Sequence, residues 1–285
     1  MPSALKTKSS NSSRRASGPY DRRGDASLNR RKNAGQESAL TTSNTELKIT
    51  RSRALKGHGT VQEIVACIPT LRGNSSVEVK VMYEPGQPPV IPKAVIAPQI
   101  RSLVLSGNSS HIKGRELFMQ FLNALRVPNA KMIAILWPGR STSEFEDTIY
   151  SFLTKAGSSG NLQTVILSLQ CCYRPGLKDY LRSPEAEHLV SLSLHTNADV
   201  EAEILCVLPH RHWLFNLEDL TLRNANNIKP RFFLEALEKR HAGGRSKLSS
   251  VRITAVKGLS KAVVERARAI GIEFECFRSV YVKED

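Results

Sequence analysis

Two histidines one residue apart, His210 and His212 in "LPHRHWLF", are the chain's nearest approach to a metal-ligand pair. Alternate histidines can share a cation. Here they flank Arg211 in a loop-like stretch before Trp213, with no carboxylate or thiol beside them, so no ligand set is complete. Cys171 and Cys172 would need a neighbouring base to act as nucleophiles. Lying just past a strand-like segment and ahead of Tyr173 and Pro175, they read as small apolar packing groups. The phosphate-cradling G-x-x-x-x-G-K-[ST], the dinucleotide G-x-G-x-x-G, the nucleophile elbow G-x-S-x-G and the zinc motif H-E-x-x-H do not occur. The expectation is a chain that is not an enzyme, with no catalytic, cofactor-binding or metal-binding residues. Trp137, following "AIL", reads as a core or rim anchor.

The elements that could position a binding surface are more legible. At 285 residues and 40% hydrophobic, the chain has the composition of an ordinary soluble protein. It lacks a long unbroken apolar run and a leader-like apolar stretch near its start, which predicts an intracellular protein, cytoplasmic or nuclear, without a membrane segment. Five cysteines, an odd number with no C-x-x-C pair, predict reduced thiols.

The net charge of +15 is unevenly placed: residues 1–56 hold 13 lysines and arginines against 4 acids. This stretch has no apolar periodicity and reads as a disordered basic tail. Arg14-Arg15, Arg22-Arg23 and Arg30-Arg31-Lys32 are spaced like a split nuclear signal and would attract nucleic acid. Arg14-Arg15-Ala16-Ser17 places Ser17 as a candidate phosphosite. From residue 57 the texture changes. "VQEIVACI" and "SVEVKVMYE" are β-branched, the second alternating through Val77, Val79 and Val81, and residues 57–99 read as an N-terminal cap region with strands.

From residue 100 one pattern recurs, L-x-x-L-x-L. It runs through Ile100-Leu103-Leu105, Ala130-Ile133-Ile135, Leu162-Val165-Leu167, Leu189-Leu192-Leu194, Leu217-Leu220-Leu222 and Leu248-Val251-Ile253. Successive copies are 27 to 32 residues apart. Two copies carry asparagine three positions after the last apolar residue, Asn108 and Asn197, where a buried amide can bond the turn leaving the strand. Between copies lie helical patterns: Leu117, Phe118, Phe121, Leu122 and Leu125 share one face, as do Phe145, Ile149, Phe152 and Leu153. "VEAEILCVL", "PRFFLEALEKR" and "SKAVVERARAIG" continue the series, with Pro230 in a first turn, Ser260 as N-cap and Gly271 closing the last. One strand and one helix cannot bury their own apolar faces, so the copies must stack. The predicted fold class is α/β: a leucine-rich-repeat-like solenoid over residues 100–277, a curved parallel sheet backed by helices, with a short tail at 278–285.

The spacing and the closing stretch "FFLEALEKRHAGGRSKLSSVRITAVKGLSKAVVERARAIGIEFEC" resemble the C-terminal repeat region of basidiomycete-fungal F-box proteins, over about residues 95–277. The resemblance implies a protein-protein interaction scaffold of the substrate-recognition kind, with a possible link to ubiquitin ligase function. In that family an F-box opening on a Leu-Pro pair docks a Skp1-type adaptor. Residues 1–60 contain no such segment, so an adaptor is implied only if an F-box is present.

In such a sheet the triplet residues point into the core and the interleaved ones face outward on the concave side. These are Ser102, Val104, Ala134, Thr164, Ile166, Ser191 and Asp219, and the six residues expected to meet a protein partner: Ser193, His195, Thr221, Arg223, Arg252 and Thr254. The two arginines suit carboxylate or phosphate groups. The second function class open to the sequence is a nucleic-acid or chromatin-associated factor acting through the basic tail.

Overall fold

The structure, a computed structural model, describes residues 46–85, 91, 93–107, 112–170, 174–196, 201–223, 229–242, 244, 246–254 and 260–277. All belong to the unit Ser43–Asp285. The basic pairs, Ser17, Asn108, Asn197, Cys171 and Cys172 lie outside the described residues.

A hairpin opens the described chain, β1 (Glu46–Thr50) antiparallel to β2 (Ala54–Gly59). Its turn is held by the Arg53 N–H donating to the Thr50 carbonyl at 3.0 Å, with Arg51 and Ser52 both at positive φ, 52° and 53°. That is the twist a two-stranded ribbon favours. Ordered structure therefore begins at least ten residues before the expected boundary at 56, and Leu55 is fully buried. Helix α1 (Val61–Cys67) follows. "VQEIVACI" is thus a helix and not a strand, because Thr60 and Glu63 form a reciprocal capping box: the Glu63 N–H donates to the Thr60 hydroxyl and the Thr60 N–H to the Glu63 carboxylate. Strand β3 (Ser75–Val81) then buries Val77, Val79 and Val81 as expected.

The succeeding elements alternate. They are β4 (Val95–Ile96), β5 (Ile100–Gly107), α2 (Ile112–Ala124), β6 (Leu125–Arg126), β7 (Met132–Trp137), α3 (Ser143–Gly157), β8 (Thr164–Leu169), α4 (Arg174–Arg182), β9 (Ser191–Thr196), α5 (Glu201–Val207), β10 (Asp219–Arg223), α6 (Pro230–His241), β11 (Ser250–Thr254), α7 (Lys261–Ala269) and β12 (Glu273–Phe277). Ten strands make one sheet in the order β1-β2-β3-β5-β7-β8-β9-β10-β11-β12, parallel except at β1–β2. The short β4 and β6 pair separately. The protein is α/β, with a large, mostly parallel sheet backed by helices, in which β1 and β12 are the outermost strands among the described residues.

The second and third residues of the six aliphatic triplets lie on neighbouring strands in register. Leu103, Ile133, Val165, Leu192, Leu220 and Val251 form one ladder; Leu105, Ile135, Leu167, Leu194, Leu222 and Ile253 form the next. Each of these side chains is at most 1% exposed. Strand order follows chain order without reversal, and each helix from α2 onward packs against its successor. The helices therefore form one layer on the triplet side. Burying one such aliphatic side chain contributes about 1.5–3 kcal/mol.

A second ladder runs along the strand entrances. Before four of the six triplets, the preceding residue reaches back one unit with its side-chain amide. Gln99 donates its side-chain amide to the Ile68 carbonyl at 2.8 Å, Asn129 to Pro98 at 2.8 Å, Asn161 to Pro128 at 3.4 Å and Asn216 to Glu187 at 2.9 Å. Lys247, one unit later, donates to the Asn216 side-chain oxygen at 2.8 Å.

Helix α4 has no counterpart among the sequence expectations. Pro175 sits in its first turn, where proline is tolerated. Gly176 is required by its neighbour, since a Cβ there would meet the Tyr150 ring at 2.7 Å. Trp137 is a core residue, 3% exposed, its ring 5.2 Å from Phe118 and 4.8 Å from Phe145.

Candidate functional site

With the helices on one side, the other face of the sheet carries the alternate residues, and along most strands these are half-buried or exposed. Strand register arranges them in rows that cross the strands. The first row includes Ser102, Met132, Thr164, Ser191 and Asp219. The second runs Lys56, Glu78, Val104, Ala134, Ile166, Ser193, Thr221, Arg252. The third, toward the strand C-termini, runs His58, Lys80, Ser106, Leu136, Ser168, His195, Arg223.

Five of the six expected partner-binding residues are brought together here. Ser193, Thr221 and Arg252 are consecutive in the second row, and His195 faces Arg223 in the third. Thr254 ends β11 two residues past Arg252, on the same face. Ala134 corrects one expectation. It points to this face but is only 3% exposed, because its methyl is shorter than Val104 and Ile166 on the adjoining strands, which shade it.

The Ser193 hydroxyl and His195 Nε2 are 2.9 Å apart, a hydrogen bond between residues two apart on one strand. A serine–histidine pair invites comparison with a hydrolytic dyad, and the electrostatics run against one. Burial lowers the His195 pKa, and Arg223 lowers it further. A general base must become imidazolium, which a carboxylate would favour and a guanidinium disfavours. Elsewhere, burial and the Glu63 carboxylate push the Cys67 thiol up, away from the reactive thiolate.

The N-terminal end of the face is a region the sequence expectations missed. Lys56, His58, Glu78, Lys80, Val104, Ser106 and Leu136 line a depression of about 420 Å³. Lys56 and Glu78 pair across β2 and β3 at 2.8 Å, and Lys80 has no ion-pair partner among the described residues. The signal was present in "SVEVKV", where Glu78 and Lys80 alternate with buried valines. Assigning everything before residue 57 to a tail concealed Lys56.

His210 and His212 do converge, but on an aromatic ring. Their rings lie 4.7 and 4.5 Å from that of Trp213, with the Arg182 guanidinium 4.2 Å over the same ring. Below them Arg240, 1% exposed, donates to the carbonyls of Leu208 (3.2 Å), Trp213 (3.3 Å) and Leu214 (2.6 Å). Burial, with Arg211 nearby, brings its guanidinium down to about 10. This cationic surrounding repels a metal ion. Among the described residues no group of three or more His, Cys, Asp or Glu side chains is placed to hold one, and no helix is long and apolar enough to cross a membrane.

No protein-family model, no curated protein and no solved structure matches the chain.

Proposed function

We propose that the protein is a non-enzymatic interaction scaffold that takes a protein partner on its open sheet face. The observation that carries this reading is the sheet face that the described residues leave uncovered. Parallel sheets are almost always covered on both sides, and here the helices occupy one. The exposed side has an apolar centre at Val104, Ile166 and Leu136 and polar flanks at Lys80 and at Ser193 through Arg252, the anatomy of an interface core and rim. A leucine-rich-repeat-like solenoid, of the kind that recognises substrates in F-box proteins, is the architecture this reading adopts, supported by sequential strand order and by the triplet and amide ladders. Arg223 beside His195 favours binding over catalysis, as argued above.

The test compares tagged wild-type protein with Ile166→Asp in capture from cell extract. Partners held by the wild type and lost by Ile166→Asp, at unchanged thermal stability, fit the proposal. Partners unaffected by Ile166→Asp and Val104→Asp but lost on changes to the helical side overturn it. Co-capture of a Skp1-type adaptor would add ligase membership. The alternative, a nucleic-acid or chromatin-associated factor, rests on the +6 charge of residues 1–45, nine lysines and arginines against three acids. It requires binding to DNA or RNA that weakens steeply with salt and is lost when those residues are removed.

A further inference from the structure

We infer that the occupant of the open face is an acidic-ended peptide segment: an aliphatic centre flanked on both sides by aspartate or glutamate, laid across the strands along the third row. This rests on the docking reading above and specifies its partner. From β3 to β10 the row is Lys80, Ser106, Leu136, Ser168, His195, Arg223, with a cation at each end, an aliphatic side chain inside and no carboxylate anywhere along it. The second row adds Val104 and Ile166 beside Leu136, and Arg252 near Arg223. The carboxylates of this face lie outside the Lys80 to Arg223 span. Glu78 is paired with Lys56, Glu46 continues the row beyond His58 on the edge strand and is held by Lys48, Asp219 and Glu273 belong to the first row, and Glu275 on β12 is in register with Arg252.

Geometry sets the length. Six strands are five spacings of about 4.8 Å, so Lys80 and Arg223 are separated by roughly 24 Å, which an extended segment covers in about seven residues. A nucleic acid fits less well. Its phosphates repeat every few ångströms, and those over the aliphatic centre would be desolvated without a cation, while the row offers no Phe, Tyr or Trp ring, and only the small His195 imidazole, for a base to stack on. The chain's own residues 1–45, at +6, have the wrong sign.

The experiment is fluorescence anisotropy on the full chain with four probes. One is a peptide with paired glutamates at both ends of a roughly seven-residue aliphatic stretch. The second has the same residues with all glutamates at one end, the third has lysines in place of glutamates, and the fourth is single-stranded RNA of matching length. The first should bind best, more weakly as salt rises, and lose about three- to tenfold in affinity with Lys80→Glu and again with Arg223→Glu. Lys239→Glu, the same charge change on the helical side, should leave it unaltered. Equal binding of the first two peptides, equal loss with Lys239→Glu, tighter binding of the RNA, or no binding of the first peptide overturns the inference. If, alongside any of these, captured partners are still lost by Ile166→Asp, the docking face stands and only its acidic-ended occupant falls.

Discussion

Arg223 stands directly across the β9–β10 pair from His195, and its charge joins burial in keeping that imidazole neutral. The His195 pKa should therefore be found below 6.5, its ordinary value, by NMR titration of the ring, with Arg223→Gln moving it part of the way back because burial is the larger cause. A histidine with a lower pKa folded than unfolded binds fewer protons in the native state. Stability then rises with pH across the window just beneath 6.5 and declines as the solution is acidified through it, a slope that Arg223→Gln should flatten.

Leu55 offers a direct check on where the folded region starts. It is fully buried beneath the β2–β3 pairing. Leu55→Ala should cost about 2–5 kcal/mol in chemical denaturation, the range for emptying a core leucine site. A cost near zero would return residues up to 56 to a tail.

The amide ladder predicts a modest, distributed penalty. Asn129→Ala leaves the Pro98 carbonyl without its side-chain donor and should lower stability by about 1 kcal/mol, read as a shifted denaturation midpoint at constant slope. The same change at Asn123, exposed on α2, is the control.

Gly107 lies under Trp137, and a Cβ there would come within 2.0 Å of the indole ring. Gly107→Ala should destabilise by about 1–3 kcal/mol through overpacking and displace the indole. The second effect is visible as altered near-ultraviolet circular dichroism and tryptophan emission.

Arg240 ties three carbonyls of the 208–214 segment together from beneath. Arg240→Met should cost about 3 kcal/mol, since each buried carbonyl left unpaired costs about 1–3 kcal/mol less whatever water recovers. Arg240→Lys should rescue under half of the loss, because one ammonium cannot span all three acceptors as the guanidinium fork does. Equal stability of both variants with wild type would remove this role.

Much of the sheet could be read from the residues because aliphatic spacing reports which side chains must leave water. The triplets from Ile100 to Ile253 and the helix faces of Phe118 and Phe145 are such cases. What escaped reading depends on hydrogen bonds and backbone twist, which leave weaker traces. The β1–β2 turn uses Arg51 and Ser52 where Asn-Gly would have announced it. The α1 cap needed the Thr60 to Glu63 spacing to outweigh the β-branched character of Val61, Ile64 and Val65. Amides sit one residue ahead of four of the six triplets, at Gln99, Asn129, Asn161 and Asn216, positions that the apolar spacing does not mark. The polar cluster at Ser193, Thr221 and Arg252 was legible from alternation alone. The Lys80 end required knowing that β3 joins the same sheet, a pairing that no local pattern encodes.

Strand order that never doubles back has a consequence for how this chain could lengthen or shorten. From β2 onward each strand of the large sheet is paired in parallel with the strands before and after it in that sheet, so the join between any two of these neighbours resembles the next. Excising one roughly thirty-residue module, or copying it, would leave the surviving seams chemically familiar while moving Lys80 and Arg223 one strand spacing closer together or farther apart. The distance between those two cations is thus a countable property, altered in whole steps without redesigning the core.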